Sequence, residues 1–161
     1  MKIAPSLLSA DFANLASELK DIEKAGADLV HLDVMDGHFV PNLTFGCPII
    51  KALRKHTTLP FDVHLMTEHP EVYFKDLAKA GVQMVSFHAE AAVHHDRLVH
   101  AIQEKGMKAG IALNPGTPLS MIEGVSRPPG RAQRPAQPAF VSHGKGGEPE
   151  VLQSGDRSGV L

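Results

Sequence analysis

The chain has 161 residues, 43% apolar and 21% charged, and its 16 basic and 18 acidic residues leave a formal net charge of -2. That length predicts one domain with a sizeable core, and the near-balance of charge gives no reason to expect nucleic acid as a partner. A single cysteine, Cys47, excludes an internal disulfide framework and a four-thiolate zinc site, and no apolar run approaches the roughly 20 residues of a membrane span. A reducing compartment follows. The opening residues, interrupted by Asp11, are too short for a secretory signal, so the cytoplasm is the expected location.

Residues 3–8 form a short apolar run that reads as a strand. A helix is predicted over 14–25, with Leu15, Leu19 and Ile22 on one face and Gly26 as its stop. Residues 29–35 are a strand by length and branched side chains. Pro48 suits a helix first turn, with Ile49, Ile50 and Leu53 inward. Residues 61–66 are the next strand. Pro70 opens a helix that turns Val72, Tyr73, Leu77 and Ala80 inward and ends at Gly81. Residues 84–88 form a strand, 96–105 a helix stopped by Gly106, and 107–113 a fifth strand. A further helix begins within 119–125. Alternation every 25 to 30 residues or so predicts parallel strands with helical crossovers, in an open sheet or in part of a barrel. Neither common phosphate-loop fingerprint occurs.

Composition changes near Val125. Residues 1–125 hold 7 Pro and 8 Gly, whereas the last 36 residues hold 5 Pro and 6 Gly, with no Ile, no Met and one aromatic, Phe140. Such a segment has little to bury, and residues 126–161 are predicted to be disordered, with no strand.

Side chains two apart on a strand share a face. His31, Asp33 and Met35 therefore point one way. Asp62, His64 and Met66 do so on the next strand, and Ser86, His88 and Glu90 on the one after. These groups are expected near the C-terminal strand ends, where α/β folds bind ligands. A carboxylate beside two imidazoles suits a borderline divalent metal: zinc, iron(II), manganese or cobalt. The pattern leaves a second reading open, that these are satisfied core or rim residues, and Asp62 could equally bond a loop backbone. The histidines at 38, 56, 69, 94, 95, 100 and 143 read as loop or helix-surface residues. Cys47, ahead of Pro48 at a helix start, occupies a place where a thiol pKa can fall. With no base at a recognisable spacing, a structural role is expected for it.

Longer blocks carry a resemblance. Ala4-Pro5-Ser6-Leu7-Leu8-Ser9-Ala10-Asp11-Phe12, the stretch from His31 to Asn42, Phe45-Gly46, Asp62-Val63-His64-Leu65-Met66 and Asn114-Pro115-Gly116-Thr117 resemble ribulose-phosphate 3-epimerases. The resemblance runs from Lys2 to about Val125. The allulose-6-phosphate 3-epimerase branch shares these motifs.

The resemblance implies the (β/α)8 TIM-barrel family, here as about five β/α units over residues 1–125, a truncated barrel. It implies a metal-dependent, usually homo-oligomeric isomerase of the pentose phosphate pathway or the Calvin cycle. Such enzymes interconvert D-ribulose 5-phosphate and D-xylulose 5-phosphate, one aspartate removing the C3 proton and another returning it on the opposite face. Carried over by motif, Asp33 is one acid/base and a metal ligand, and His31 and His64 are metal ligands. Ser6 and His64 contact substrate, and Met35 and Met66 cap the reacting centre. The family's later elements, a glycine-rich phosphate loop and an aspartate followed by two glycines, do not occur in residues 126–161. An inactive fragment, or a module pairing with a full-length epimerase, is therefore the alternative reading.

Overall fold

The computed structural model describes residues 2–123, Val125, and the segments Phe140–His143 and Glu150–Val151. Four helices, α1 (Leu15–Lys24), α2 (Cys47–Leu53), α3 (Phe74–Lys79) and α4 (His95–Gln103), alternate with four strands, β1 (Val30–Met35), β2 (Phe61–Met66), β3 (Met84–His88) and β4 (Lys108–Leu113). Two further strands, β5 (Phe140–His143) and β6 (Glu150–Val151), follow. All six lie in one sheet in chain order, parallel from β1 to β5 and antiparallel between β5 and β6. Neighbouring parallel strands need a crossover of a dozen or more residues, and α2, α3 and α4 supply three of them. The sequence reading has no strand beyond residue 125, so the pairing of Phe140–His143 with β4 departs from it. The expectation of disorder for the rest of 126–161 lies outside the described residues.

Strand period two divides the sheet into unlike faces. Val30, Leu32 and Val34, then Phe61, Val63 and Leu65, then Val85 and Phe87, are buried in one cluster with Leu19, Ile50, Leu53, Phe74, Leu77, Val99 and Ile102 from the helices. Each such side chain contributes about 1.5–3 kcal/mol relative to full exposure. The opposite face carries His31, Asp33 and Met35 on β1 and Asp62, His64 and Met66 on β2. Register sets His31 beside Asp62, Asp33 beside His64, and Met35 beside Met66. Because one face is apolar and buried, a one-residue slip would expose it, so packing holds this alignment.

Several local expectations are corrected. Residues 3–8 do not form a full strand. Their carbonyls at Ile3 and Pro5 accept from Asp28 N (2.9 Å) and His31 N (2.9 Å), but only Ser6 forms a bridge, to His31. Pro5 has no N–H to extend the ladder, and the Ser6 hydroxyl accepts from Leu8 N (3.1 Å) and turns the chain into a 3-10 helix, Leu7–Ser9. The segment after Pro70 is a 3-10 turn, Pro70–Val72, before α3, and residues 119–122 are 3-10 as well. Ile49 and Val72 are exposed rather than turned inward.

The helix stops hold as expected. Gly26, Gly81 and Gly106 lie at φ 80°, 75° and 80°, the left-handed region that ends a helix. At Gly81 a Cβ would also meet Arg54 Cδ at 3.2 Å. Gly81→Ala is expected to cost about 1–2 kcal/mol, read as a lower urea midpoint with an unchanged slope.

The end of α1 is tied to the turn before β2 through Glu23. Its Oε1 accepts from Thr57 Oγ1 (2.9 Å), Thr58 N (3.3 Å) and Thr58 Oγ1 (3.3 Å). The Thr57 hydroxyl, followed by the Thr58 amide, holds the Glu23 carboxyl below its ordinary value. A carboxyl depressed in the folded chain stabilises it above the unfolded pKa, and that share is lost as pH falls through the folded pKa. Glu23→Gln is expected to lower the urea midpoint at neutral pH, the gap to the parent closing between about pH 5 and 3.

Candidate metal centre

Asp33 is the hub of the polar face. It is 9% exposed, and its Oδ2 accepts from the Ser6 hydroxyl. Its Oδ1 lies 3.4 Å from His31 Nε2 and 3.7 Å from His64 Nδ1. One ligand atom from each of His31, Asp33 and His64 falls within 4.8 Å of the others. Two donors bound to one tetrahedral zinc at ordinary bond lengths lie about 3.4 Å apart. The donor types and both short separations therefore fit a divalent cation with nitrogen and oxygen ligands.

The outer contacts strengthen that fit. His31 Nδ1 is 2.9 Å from Asp62 Oδ2. A carboxylate only accepts, so His31 Nδ1 donates, and its ring is aimed by a second carboxylate as in carboxylate–histidine–metal triads. Burial pulls the His31 pKa down, but the hydrogen bonds and charges of Asp33 and Asp62 outweigh it and raise the pKa to about 10. A cation among the three ligand atoms would take the place of the Nε2 proton. Burial likewise opposes the charge on Asp33, yet His31, His64 and Ser6 hold its carboxyl well below the usual range.

On the far side of His64, Nε2 lies 2.9 Å from His88 Nε2, and His88 Nδ1 lies 3.3 Å from Glu90 Oε2. The two ring centroids lie 4.9 Å apart with the rings 18° from parallel, and Phe39 covers His88 at 4.8 Å. Burial, and then the neighbouring His64, lower the His88 pKa. Burial opposes ionisation of Glu90, but bonds from Thr117 Oγ1 and Asn114 N (2.8 Å) outweigh it and keep the carboxyl below its ordinary value.

Loops complete the surroundings. Asp36 Oδ1 accepts from His38 N (2.8 Å) and Phe39 N (2.9 Å), and its Oδ2 accepts from Glu68 N (2.9 Å), joining the loops that follow β1 and β2. The Thr44 hydroxyl donates to Asp33 O (2.7 Å) and accepts from Met35 N (3.0 Å), bracing β1 at the site.

The profile of the Ribulose-phosphate 3 epimerase family matches residues 2–127. The chain belongs to the ribulose-phosphate 3-epimerase family. It is 57% identical over 125 residues to a ribulose-phosphate 3-epimerase of Bacillus subtilis (strain 168), covering 78% of this chain and 58% of that one. It is 54% identical over 123 residues to the enzyme of Treponema pallidum (strain Nichols), covering 76% and 56%. A cytoplasmic isoform from Oryza sativa subsp. japonica is 51% identical over 122 residues, covering 75% and 54%. The chain thus spans little more than half the length of these relatives. Among solved structures, a mutant tryptophan synthase α-subunit from Pyrococcus furiosus superposes with a TM-score of 0.56 at 16% identity, over 78% of this chain and 60% of that one. A tryptophan synthase α chain from Legionella pneumophila gives 0.52 at 16% identity, over 78% and 56%. At that identity the likeness shows the fold alone, that of a partial β/α barrel.

Within this epimerase-family chain, the structure brings together four of the six residues singled out from the sequence: Ser6, His31, Asp33 and His64. Met35 and Met66 sit side by side at the strand ends, both half-buried. The cluster itself lies mid-strand, since Asp33 and His64 each have two strand residues after them. Asp62 bonds His31 and not a loop backbone. The sequence reading placed His88 and Glu90 on one face but assigned them nothing. At Cys47, burial, then the charge of Asp76, pushes the thiol up.

Proposed function

We propose that this chain carries the cation-binding, proton-abstracting part of a ribulose-phosphate 3-epimerase site. The substrate pair is D-ribulose 5-phosphate and D-xylulose 5-phosphate. One divalent cation, zinc, iron(II), manganese or cobalt, is held by His31, Asp33 and His64. The observation that carries the reading is the convergence of those three ligand atoms within 4.8 Å, with the second nitrogen of each imidazole bonded to an outer partner. The name of the Oryza sativa relative favours the cytoplasm as its location. No helix among the described residues is long and apolar enough to cross a membrane.

Inverting one carbon without net oxidation is proton transfer alone. The C3–H bond breaks, its proton passes to an Asp33 oxygen, and the electron pair delocalises onto the C2 oxygen. The cation, when bound, supplies electrostatic stabilisation of that developing charge. The contacts around Asp33 keep it ionised, the form able to accept a proton. Ser6 donates to Oδ2 and so orients the carboxylate. Met35 and Met66 give the site soft, weakly hydrated walls that exclude water from the reacting carbon. The family's second base, an aspartate followed by two glycines, does not occur in the 161 residues. These residues therefore provide deprotonation from one face.

The test is a proton NMR time course in deuterated water with the 161-residue chain, zinc and ribulose 5-phosphate. Loss of the C3 proton signal without accumulation of xylulose 5-phosphate is the expected result. A chain with dispersed amide signals and bound zinc that leaves C3 untouched overturns the proposal. Exchange with allulose 6-phosphate alone moves the assignment to that substrate.

A further inference from the structure

One hydrogen bond fixes the direction of every backbone group in β4. Lys108 N donates to Gln83 O, just ahead of β3, at 2.8 Å. With period two along a parallel strand, the N–H and C=O groups of Lys108, Gly110 and Ala112 therefore face β3, and those of Ala109, Ile111 and Leu113 face the other way. The strand reads Lys-Ala-Gly-Ile-Ala-Leu, with one charge, at its start. Left unpaired, that second side would be an apolar template for a strand from another chain. Phe140–His143 lies along it in parallel register, Val141 opposite Ile111 and Ser142 opposite Ala112. In that register the N–H groups of Phe140 and Ser142 face β4, and that of Val141 faces β6.

The sheet then ends on a strand that offers little to a newcomer. β6 is two residues long and runs antiparallel to β5, with Glu150 opposite Val141. Glu150 turns its backbone groups toward β5, which leaves those of Val151 pointing outward. The residue ahead of this strand, Pro149, has no N–H. The opposite edge is treated in a similar way. Beside β1, the Ile3 amide is taken by Asp28 Oδ2 at 2.7 Å, and Pro5 has no N–H. Shortness, charge and proline are the means by which proteins blunt sheet edges.

We propose that the segment Phe140–Val151 is an intramolecular edge cap. It occupies the side of β4 that a second copy of this chain would otherwise pair with, and it closes the sheet on an edge too short to recruit another strand. The cap comes from sequence outside residues 2–127, the part that matches the family profile. It does not depend on the metal reading.

The test uses the full 161-residue chain. Hydrogen exchange, read residue by residue by NMR, is expected to show protection at Ile111 and Leu113 as well as at Gly110 and Ala112. Ser142→Pro keeps the preceding residue extended but removes an N–H that faces β4. At low concentration this change is expected to speed exchange at Ile111 and Leu113 by about tenfold or more, with Gly110 and Ala112 unchanged. On concentration, sedimentation is expected to give the variant a larger average mass than the parent. Val141→Pro is the control, because its missing N–H is the one directed to β6. It is expected to leave the Ile111 and Leu113 amides protected and the mass unchanged.

A parent chain whose Ile111 and Leu113 amides exchange as fast as loop amides overturns the pairing, and that reading needs no variant. A Ser142→Pro chain with unchanged protection overturns it too. A Ser142→Pro chain that loses protection at Ile111 and Leu113, yet keeps the parent's mass at every concentration, shows that the strand pairs but guards nothing, and the cap is then refuted.

Discussion

Asp33→Asn is expected to slow C3 exchange by about 10²–10⁴-fold, the usual worth of a positioned acid/base. The argument begins from the shape of the change. Asparagine occupies the same volume, so the core beneath β1 is undisturbed. It has no charge and turns an NH2 group or a carbonyl toward His31 Nε2 and His64 Nδ1, where the parent presents Oδ1 at 3.4 and 3.7 Å. Zinc affinity is expected to fall beyond the roughly 10- to 100-fold that follows loss of an outer partner, because here a ligand itself is lost. Folding should survive. Breaking a buried ion pair is severe when it strands a charge, but His31 keeps Asp62 at 2.9 Å. The readings are the time course in deuterated water, zinc calorimetry and the urea midpoint. A variant that exchanges C3 at the parental rate removes Asp33 from the reaction.

Phe61→Ala should be the most damaging single change to stability. Phe61 opens β2, is wholly buried, and lies under the Arg54 guanidinium, 4.0 Å from its carbon to the ring centroid. Truncation of a core phenylalanine costs about 3–5 kcal/mol through lost burial and residual cavity. The ring also supports a cation that has structural work of its own. Arg54 donates to Thr57 O and to Leu59 O (2.8 Å), closing the turn that delivers the chain into β2. Loss of the cation–π contact adds about 0.5–1 kcal/mol. Against a total of roughly 5–15 kcal/mol for a domain, this is a large share. Urea unfolding of parent, Phe61→Ala and Phe61→Leu checks it, with the leucine variant expected between the other two. A Phe61→Ala midpoint close to the parent's shows that the site collapses around the missing ring.

How far the sequence reached depends on the range of the interaction involved. The strand and helix order from residue 29 to residue 113 was legible, because period-two and period-3.6 patterns and the stops at Gly26, Gly81 and Gly106 are local. The grouping of His31 with Asp33, and of Asp62 with His64, was legible for the same reason. At residues 3–8, where the reading expected a strand, a competing hydrogen bond was the cause of the difference. Ser6 caps Leu8 N, and so a run with strand composition becomes one bridge and a 3-10 turn.

By itself, the sequence determined which side chains share a face and, through its motifs, the family to which the chain belongs. The tertiary structure decided which of those side chains meet. Asp62 directs His31 because β1 and β2 align residue 31 with residue 62, and that alignment comes from burying Leu32 against the same core as Val63. Glu90 reaches His64 only through His88, with its other oxygen held by a loop more than 20 residues further along the chain. Periodicity is a property of neighbours in sequence. Register and hydrogen-bond direction between strands are set by packing and by the rule that each donor faces an acceptor, and both operate only once the strands are side by side.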